Sequence, residues 1–252
     1  MKADAPAPGP PPSLDLAAHA LFLDIDGTLV GHESHPAAVQ APAALHGLLG
    51  RLACATGGAL ALVSGRAIDD IDGLFGSGRW PCAGQHGAER RDASGLRHRH
   101  AGPLPDGVLD RLRSLARDHP ALVLEEKGSS LALHYRRAPE LAGLVEREMA
   151  VARESIGVSI ELLRGKFVVE IKPRGRDKGT AIAAFLEEAP FRGRIPVFLG
   201  DDVTDEPGFD LVNARRGLSV KVGEGPTAAR SRLAGAPEVL DWLARLGQEG
   251  AT

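Results

Sequence analysis

The fold is decided by the stretch LFLDIDGTL at residues 21–29. Its first three residues are apolar and predict a buried parallel strand. Asp24 and Asp26 follow, and Gly27 allows the chain to turn there. Because chemistry in an open α/β sheet takes place at the carboxyl ends of the strands, we expect both carboxylates to face an active-site crevice.

The carboxylates of Asp24 and Asp26 repel each other unless a positive group lies between them. Oxygen-only ligands favour Mg²⁺. An aspartate beside Mg²⁺ can attack phosphorus, and a second can donate a proton to the leaving oxygen and then activate water. The alternative is a strand end whose aspartates cap the next turn. The complete DxDGT pattern after an apolar strand favours catalysis.

Composition excludes several classes of function. The chain has 252 residues, of which 43% are hydrophobic, enough for one large domain or two smaller ones. A net charge of −3 and an aromatic content of 4% argue against nucleic-acid binding. The chain has no apolar run long enough to cross a bilayer, so we expect no membrane association.

The N-terminal residues 1–13 are rich in proline and alanine, which predicts a disordered tail. They lack the apolar core of a signal peptide, so we expect a cytoplasmic protein. Cys54 and Cys82 lie in or beside apolar segments, and we expect both to be buried free thiols in a reducing compartment.

Polar groups follow two further apolar strands. Ser64 and Gly65 follow residues 59–63, where a hydroxyl and backbone N–H groups can hold phosphate, or where Ser64 simply caps the next helix. The apolar run 195–199 leads into a second acidic segment, which contains Asp201, Asp202 and Asp205. Paired with the first two aspartates, this segment predicts the remainder of a Mg²⁺ site, although a solvated loop would also carry these acids.

Lys178 lies near the start of a predicted helix and can neutralise a phosphate or the carboxylates, although most lysines lie at the surface. His32 and His35 lie in a polar loop, and solvation explains them better than function. His86 and Glu89 belong either to the site or to a structural turn.

The middle of the chain has a different order of predicted helices and strands. Residues 103–172 predict the order helix, two strands, helix, two strands, which suits an α+β module inserted as a cap. The flanking residues 14–102 and 173–252 predict an α/β core with a Rossmann-like parallel sheet. We expect residues 217–222 to form the last core strand. Residues 229–233 and 237–246 are then expected to form two closing helices.

The DxDGTL and GDDxTDE motifs resemble those of the haloacid dehalogenase (HAD) superfamily of phosphatases and phosphomutases. The wider set of SGR, QHGAE, Glu-x-Lys, His-Tyr-Arg, Gly-Lys-x-x-x-Glu and Lys-Gly resembles the trehalose-6-phosphate phosphatases, which have a compact C2B-type cap. The resemblance implies that Asp24 is the nucleophile and a metal ligand, and that Asp26 binds metal through its backbone carbonyl and is the general acid and base. It further implies phosphate binding by Ser64, Gly65 and Lys178. Asp201 would complete the metal shell, and Asp202 and Asp205 would either bind the metal directly or contact its ligands.

The same resemblance implies that polar cap residues recognise the sugar. The matching positions are Glu125, Lys127, Arg136, Gly165 and Glu170. Carboxylates and ammonium groups suit a disaccharide, which presents many hydroxyls. An exposed charge pair of little energetic value is the alternative for Glu125 and Lys127.

The implied activity is Mg²⁺-dependent hydrolysis of trehalose 6-phosphate through an aspartyl-phosphate. Alternatives are a phosphatase for another sugar phosphate, such as sucrose phosphate or a mannosyl-glycerate phosphate, a phosphomutase, and a sugar-phosphate sensor without chemistry. A small-molecule sugar phosphate is the expected partner, and the sequence identifies no protein partner.

Overall fold

A computed structural model describes residues 9–31, 41–76 and 80–249. The chain divides into two compact units, the first formed by residues up to 98 and from 177 onward, the second by residues 99–176. The second unit extends four residues beyond the predicted cap at each end. His32, His35 and the first eight residues of the predicted tail lie outside the described residues.

The described residues form strands and helices that alternate along much of the chain. The strands are β1 (His19–Leu23), β2 (Leu60–Val63), β3 (Cys82–Gly84), β4 (Glu89–Arg91), β5 (Arg97–Arg99), β6 (Val123–Glu126), β7 (Leu131–His134), β8 (Ile160–Gly165), β9 (Val168–Pro173), β10 (Ile195–Gly200), β11 (Leu218–Val222) and β12 (Ser231–Leu233). The helices are α1 (Ala43–Ala55), α2 (Ile68–Phe75), α3 (Asp106–Asp118), α4 (Ala142–Ile156), α5 (Lys178–Leu186), α6 (Glu206–Ala214) and α7 (Ala236–Glu249).

The first unit is built on an eight-stranded sheet in the order β12-β11-β10-β1-β2-β3-β4-β5. The six strands from β12 to β3 are mutually parallel, and β4 runs antiparallel to β3. The strand β1 therefore lies between β2 and β10, whose carboxyl ends carry the other predicted polar groups. This arrangement confirms the predicted Rossmann-like core, whereas β4 and β5 were not predicted.

The side chains of β1 alternate between two hydrophobic layers, because successive residues of a strand point to opposite faces. Leu21 and Leu23 pack in a layer with residues of α1, α2 and α7. Phe22 packs on the other face with α5 and α6, and its ring is 5.5 Å from that of Phe191. Helices on both faces explain why the strand is apolar without interruption.

The end of the chain corrects the predicted helix at residues 229–233. Ser231 and Leu233 belong to β12, which pairs in parallel with β11, so 217–222 is not the last core strand. Ala229, Ser231 and Leu233 are buried while Arg230 is exposed. This period of two is that of a strand and not of the predicted helix. The second closing helix is confirmed as α7.

Two other expectations are also corrected. Residues 9–13 lie on the core: Gly9 pairs with Ser231, and the Trp242 indole nitrogen donates to the carbonyl of Pro12 at 3.2 Å. Cys82 is a buried free thiol, as expected, but Cys54 is free and exposed because it lies on the outer side of α1.

The second unit contains an antiparallel sheet in the order β6-β7-β9-β8. Leu131 and Leu133 of β7 pack with α3 and α4 on one face. The other face presents polar residues. Among the described residues, no helix has the length and apolarity required to cross a membrane.

Candidate active site

Three carboxylates meet at the carboxyl ends of β1 and β10. Asp24 follows β1 and Asp201 follows β10, so the parallel pairing of these strands brings them to one edge. Asp205 lies one turn further along the chain. One oxygen from each of the three lies within 4.8 Å of the others. The first DxD segment and the late acidic loop therefore meet, as the sequence predicted.

Lys178 joins two of these acids. Its ammonium group lies 2.7 Å from Asp24 Oδ1 and 2.7 Å from Asp205 Oδ1, and all three side chains are buried. Lys178 is the first residue of α5, whose start is fixed by a capping box between Asp177 and Thr180. The lysine is therefore no surface residue but part of a rigid cluster.

The cluster has an excess of negative charge, with three carboxylates and one ammonium group. Burial raises the pKa of Asp24 well above its usual value, and Asp205 and Asp201 raise it against the opposing effect of Lys178. Burial disfavours the charged form of Lys178, but Asp205 and Asp24 raise its pKa above the ordinary value. A cation among the carboxylates would offset this excess, and an all-oxygen donor set fits a divalent metal.

The surrounding backbone leaves little space. A Cβ atom at Gly200 would lie 2.3 Å from the Asp205 carboxyl carbon, and one at Gly179 would lie 2.5 Å from the Pro207 carbonyl oxygen. Thr28 donates a hydrogen bond to Asp24 Oδ2 at 3.2 Å. The glycines of GDD and of Lys-Gly are thus required for the close approach of the acids and α5.

Asp26 is separate from this cluster. Its carboxylate accepts two hydrogen bonds from the Arg66 guanidinium, at 2.7 Å from Nε and 2.6 Å from Nη2. Arg66 belongs to the SGR motif, and its contact with Asp26 has no local sequence signal because the two residues lie 40 positions apart. Asp205 rather than the Asp26 side chain completes the acid triad.

Ser64 is buried at the end of β2, and its hydroxyl oxygen accepts a hydrogen bond from the Arg66 backbone at 3.2 Å. Ser64 does not cap α2, because this helix begins at Ile68 and its N-cap residue is Ala67, without a side-chain hydrogen bond. A Cβ at Gly65 would lie 2.8 Å from the His86 ring, so a larger residue at this position would displace that ring.

Asp202 is exposed, and it contacts the cluster through its backbone. Its N–H donates a hydrogen bond to Asp205 Oδ2 at 2.9 Å. Lys221 was missed by the sequence argument. Its ammonium group donates to the carbonyls of Asp201 and of Val222, the latter at 2.9 Å. A lysine inside the apolar strand LSVKV was the available signal.

Glu89 has a structural role. Its Oε1 accepts hydrogen bonds from the Ile68 backbone at 2.7 Å and from the Gln85 side chain at 3.0 Å. The first of these bonds pairs a buried backbone N–H at the start of α2 that has no partner within the helix. Of the two interpretations of the QHGAE segment, the structural turn is the one that this contact supports for Glu89.

Three of the predicted sugar-binding residues lie together in the second unit. The register of β6, β7 and β9 aligns Glu125, Ala132 and Glu170 in one row. The ammonium group of Lys127 lies 3.5 Å from Glu125 Oε2 and 3.6 Å from Glu170 Oε1. Burial opposes the charge of Lys127, but Glu170 and Glu125 raise its pKa.

Arg136 and Gly165 differ from these three. Arg136 is exposed, and its guanidinium lies 5.7 Å from the centre of the Phe167 ring. Gly165 ends β8, where a Cβ would lie 2.7 Å from a methyl carbon of Val168. The glycine is explained by the tight hairpin, independently of any ligand.

Comparisons with known proteins agree with one another. The family model for trehalose-phosphatase matches residues 22–236. Trehalose-6-phosphate phosphatase of Escherichia coli strain K12 is 48% identical over 231 residues, which cover 90% of this chain and 86% of that protein. A probable trehalose-phosphate phosphatase of Sinorhizobium fredii is 42% identical over 226 residues, covering 89% and 85%. The crystal structure of a trehalose-6-phosphate phosphatase related protein superposes with a TM-score of 0.75 at 29% identity, covering 92% and 98%.

Proposed function

Because the chain belongs to the trehalose-phosphatase family, we propose that it hydrolyses trehalose 6-phosphate to trehalose and inorganic phosphate. The observation that supports this chemistry most directly is the buried cluster of Asp24, Lys178, Asp205 and Asp201. It combines a nucleophile, a fixed positive charge and oxygen donors for a divalent metal at one sheet edge. Free thiols at Cys54 and Cys82 fit the proposed cytoplasmic location.

We infer that the metal is Mg²⁺. The donor set consists of carboxylate oxygens from Asp24, Asp201 and Asp205, together with the backbone carbonyl of Asp26 inferred from the family resemblance. When bound, Mg²⁺ neutralises phosphate oxygens and so lowers the repulsion between the phosphate and a carboxylate nucleophile. Lys178 contributes fixed positive charge to the same end.

In the first step a carboxylate oxygen of Asp24 attacks phosphorus. A bond forms between this oxygen and phosphorus, and the bond between phosphorus and the sugar oxygen breaks. Asp26 in its protonated form gives its proton to the leaving oxygen, so trehalose departs as a neutral alcohol. Since Arg66 occupies both oxygens of Asp26 in this structure, at least one of those hydrogen bonds has to open for this proton transfer.

In the second step a water molecule attacks the aspartyl-phosphate. Asp26, now ionised, accepts a proton from the water, and inorganic phosphate leaves as Asp24 is regenerated. Ser64 and the Gly65 backbone N–H hold phosphate oxygens in both steps. The work of these residues is mainly positioning and charge neutralisation, which is what phosphoryl transfer requires.

Recognition of the sugar is assigned to the second unit. The carboxylates of Glu125 and Glu170 accept hydrogen bonds from sugar hydroxyls, and Lys127 donates one. The 3.5 and 3.6 Å separations support this proposal, because contacts longer than ordinary hydrogen bonds are more readily exchanged for contacts with a sugar hydroxyl. Arg136 and the Gly165 hairpin complete the set carried over from the family.

A phosphate-release panel tests the proposal. Trehalose 6-phosphate, sucrose 6-phosphate, a mannosyl-glycerate phosphate and glucose 6-phosphate are each supplied with Mg²⁺, with Ca²⁺ and with chelator. We expect the highest kcat/KM for trehalose 6-phosphate with Mg²⁺ and no release with chelator. A higher kcat/KM for another sugar phosphate would change the assigned substrate. Transfer of phosphate to another position of the sugar without release would indicate a mutase. Binding of a sugar phosphate without turnover would indicate a sensor.

A further inference from the structure

We propose that His134 is a positioning residue for sugar recognition, because it fixes the carboxylate of Glu125. The proposal rests on the proposed function. His134 lies on β7 two residues from Ala132, so both side chains project from the same face of the sheet. Glu125 is paired with Ala132 across the β6–β7 ladder, which brings its side chain within reach of the imidazole.

The contacts of Glu125 are directed to one of its oxygens. His134 Nε2 lies 3.0 Å from Glu125 Oε2, and Lys127 Nζ lies 3.5 Å from the same oxygen. Because a carboxylate only accepts hydrogen bonds, His134 donates through Nε2. The two contacts use Oε2 and set the orientation of the carboxylate plane, so that Oε1 can accept a hydrogen bond from a sugar hydroxyl.

The side chain of Glu125 is one-quarter exposed, whereas those of Lys127 and Glu170 are nearly buried. It is therefore the member of the group with the greatest freedom to change rotamer. Ordering such a side chain at the moment of ligand binding costs affinity, whereas a side chain fixed in advance does not incur this cost. His134 supplies this order through its hydrogen bond to Glu125.

The experiment compares His134→Leu with His134→Gln, which retains an amide donor of similar reach. We expect His134→Leu to raise KM for trehalose 6-phosphate about tenfold with kcat unchanged, and His134→Gln to recover most of this loss. Activity on p-nitrophenyl phosphate, which has no sugar, stays at the wild-type level. His98→Leu is the matched control, since His98 makes a 2.8 Å contact with Asp92 in the first unit.

A double-mutant cycle identifies the route of the effect. If His134 acts through Glu125, adding His134→Leu to Glu125→Gln causes no further rise in KM. An additive rise, or an unchanged KM in His134→Leu, would overturn the proposal. Should His134→Leu not fold, His134→Asn, whose shorter amide does not reach Glu125, takes its place in the cycle. Wild-type protein that does not hydrolyse trehalose 6-phosphate would instead overturn the proposed function.

Discussion

Each unit of this protein contains a lysine between two carboxylates, and the two arrangements differ in geometry. Lys178 lies 2.7 Å from both Asp24 and Asp205, and all three groups are buried. In the second unit the lysine of the Glu125–Lys127–Glu170 group lies 3.5 and 3.6 Å from its acids. The first arrangement consists of closed hydrogen bonds and the second does not.

This difference in contact distance matches the different requirements of phosphate chemistry and sugar binding. Chemistry on a phosphate requires charges fixed before the substrate arrives, because reorganising them during reaction costs rate. Sugar binding requires donors and acceptors that remain available to hydroxyls. Short contacts among buried groups suit the first requirement, whereas longer contacts and the part-exposed carboxylate of Glu125 suit the second. The proposed division between catalysis and recognition follows from this contrast.

The largest expected effect is on turnover when Asp24 is changed. Asp24→Asn removes the nucleophile, and we expect phosphate release from trehalose 6-phosphate to fall by about 10⁴-fold or more. Circular dichroism controls for folding. Glu140→Gln is the control variant, because it replaces an exposed carboxylate in the second unit and leaves the acids around Lys178 and Lys127 in place. Turnover near the wild-type rate in Asp24→Asn would show that the nucleophile is another group.

Stability should separate the two lysines. Lys178→Met leaves Asp24 and Asp205 buried without their ammonium group, and we expect a loss of about 3–5 kcal/mol in the free energy of unfolding. Lys127→Met should cost less than this, because water can reach Glu125 in place of the ammonium group, whereas Glu170 stays buried. Urea unfolding followed by far-UV circular dichroism measures both. Equal losses would remove the energetic distinction between the two arrangements.

The smallest expected effect is a pH dependence in the second unit. Burial opposes ionisation of Glu125, but its hydrogen bond with His134 and the charge of Lys127 lower its pKa below the ordinary 4.5. The ionised form therefore stabilises the folded state above pH 4.5, and this stabilisation is lost as pH falls through the folded-state pKa. We expect Glu125→Gln to be less stable than wild type by about 1 kcal/mol at pH 7.

Thermal unfolding measured from pH 7 downward tests this expectation, with Glu140→Gln as the control. The difference in Tm between wild type and Glu125→Gln should shrink below pH 4.5. A difference that stays constant, or grows, as the pH falls would contradict the assigned direction of the Glu125 pKa.

Much of the site could be predicted because polar residues at the ends of apolar strands are a local pattern. Asp24, Ser64 and Asp201 were identified in this way, and parallel pairing then brings such ends to one edge of the sheet. Lys178 was recognised as a candidate, but its double contact with acids 154 and 27 positions away has no local signal.

Other features depended on partners that are distant in the chain. The close spacing of Asp24 and Asp26 suggested a shared role for their side chains, but Arg66 holds the carboxylate of Asp26 away from the acid triad. Ser231 pairs with both β11 and Gly9, so β12 forms at an edge that no short-range pattern reveals. Sequence periodicity over so few residues does not distinguish a strand from a helical turn.

The sequence by itself determined the apolar strands of the core and the α+β segment that interrupts them. It also determined which polar residues follow those strands or begin a helix, namely acids, a hydroxyl and a lysine. Only the tertiary structure decided which of those groups are neighbours, with Asp205 beside Lys178, Asp26 on Arg66 and Glu125 on His134. The reason is physical. Strand formation depends on side chains a few residues apart, whereas the energy of a charge depends on every group that folding brings within a few ångströms of it.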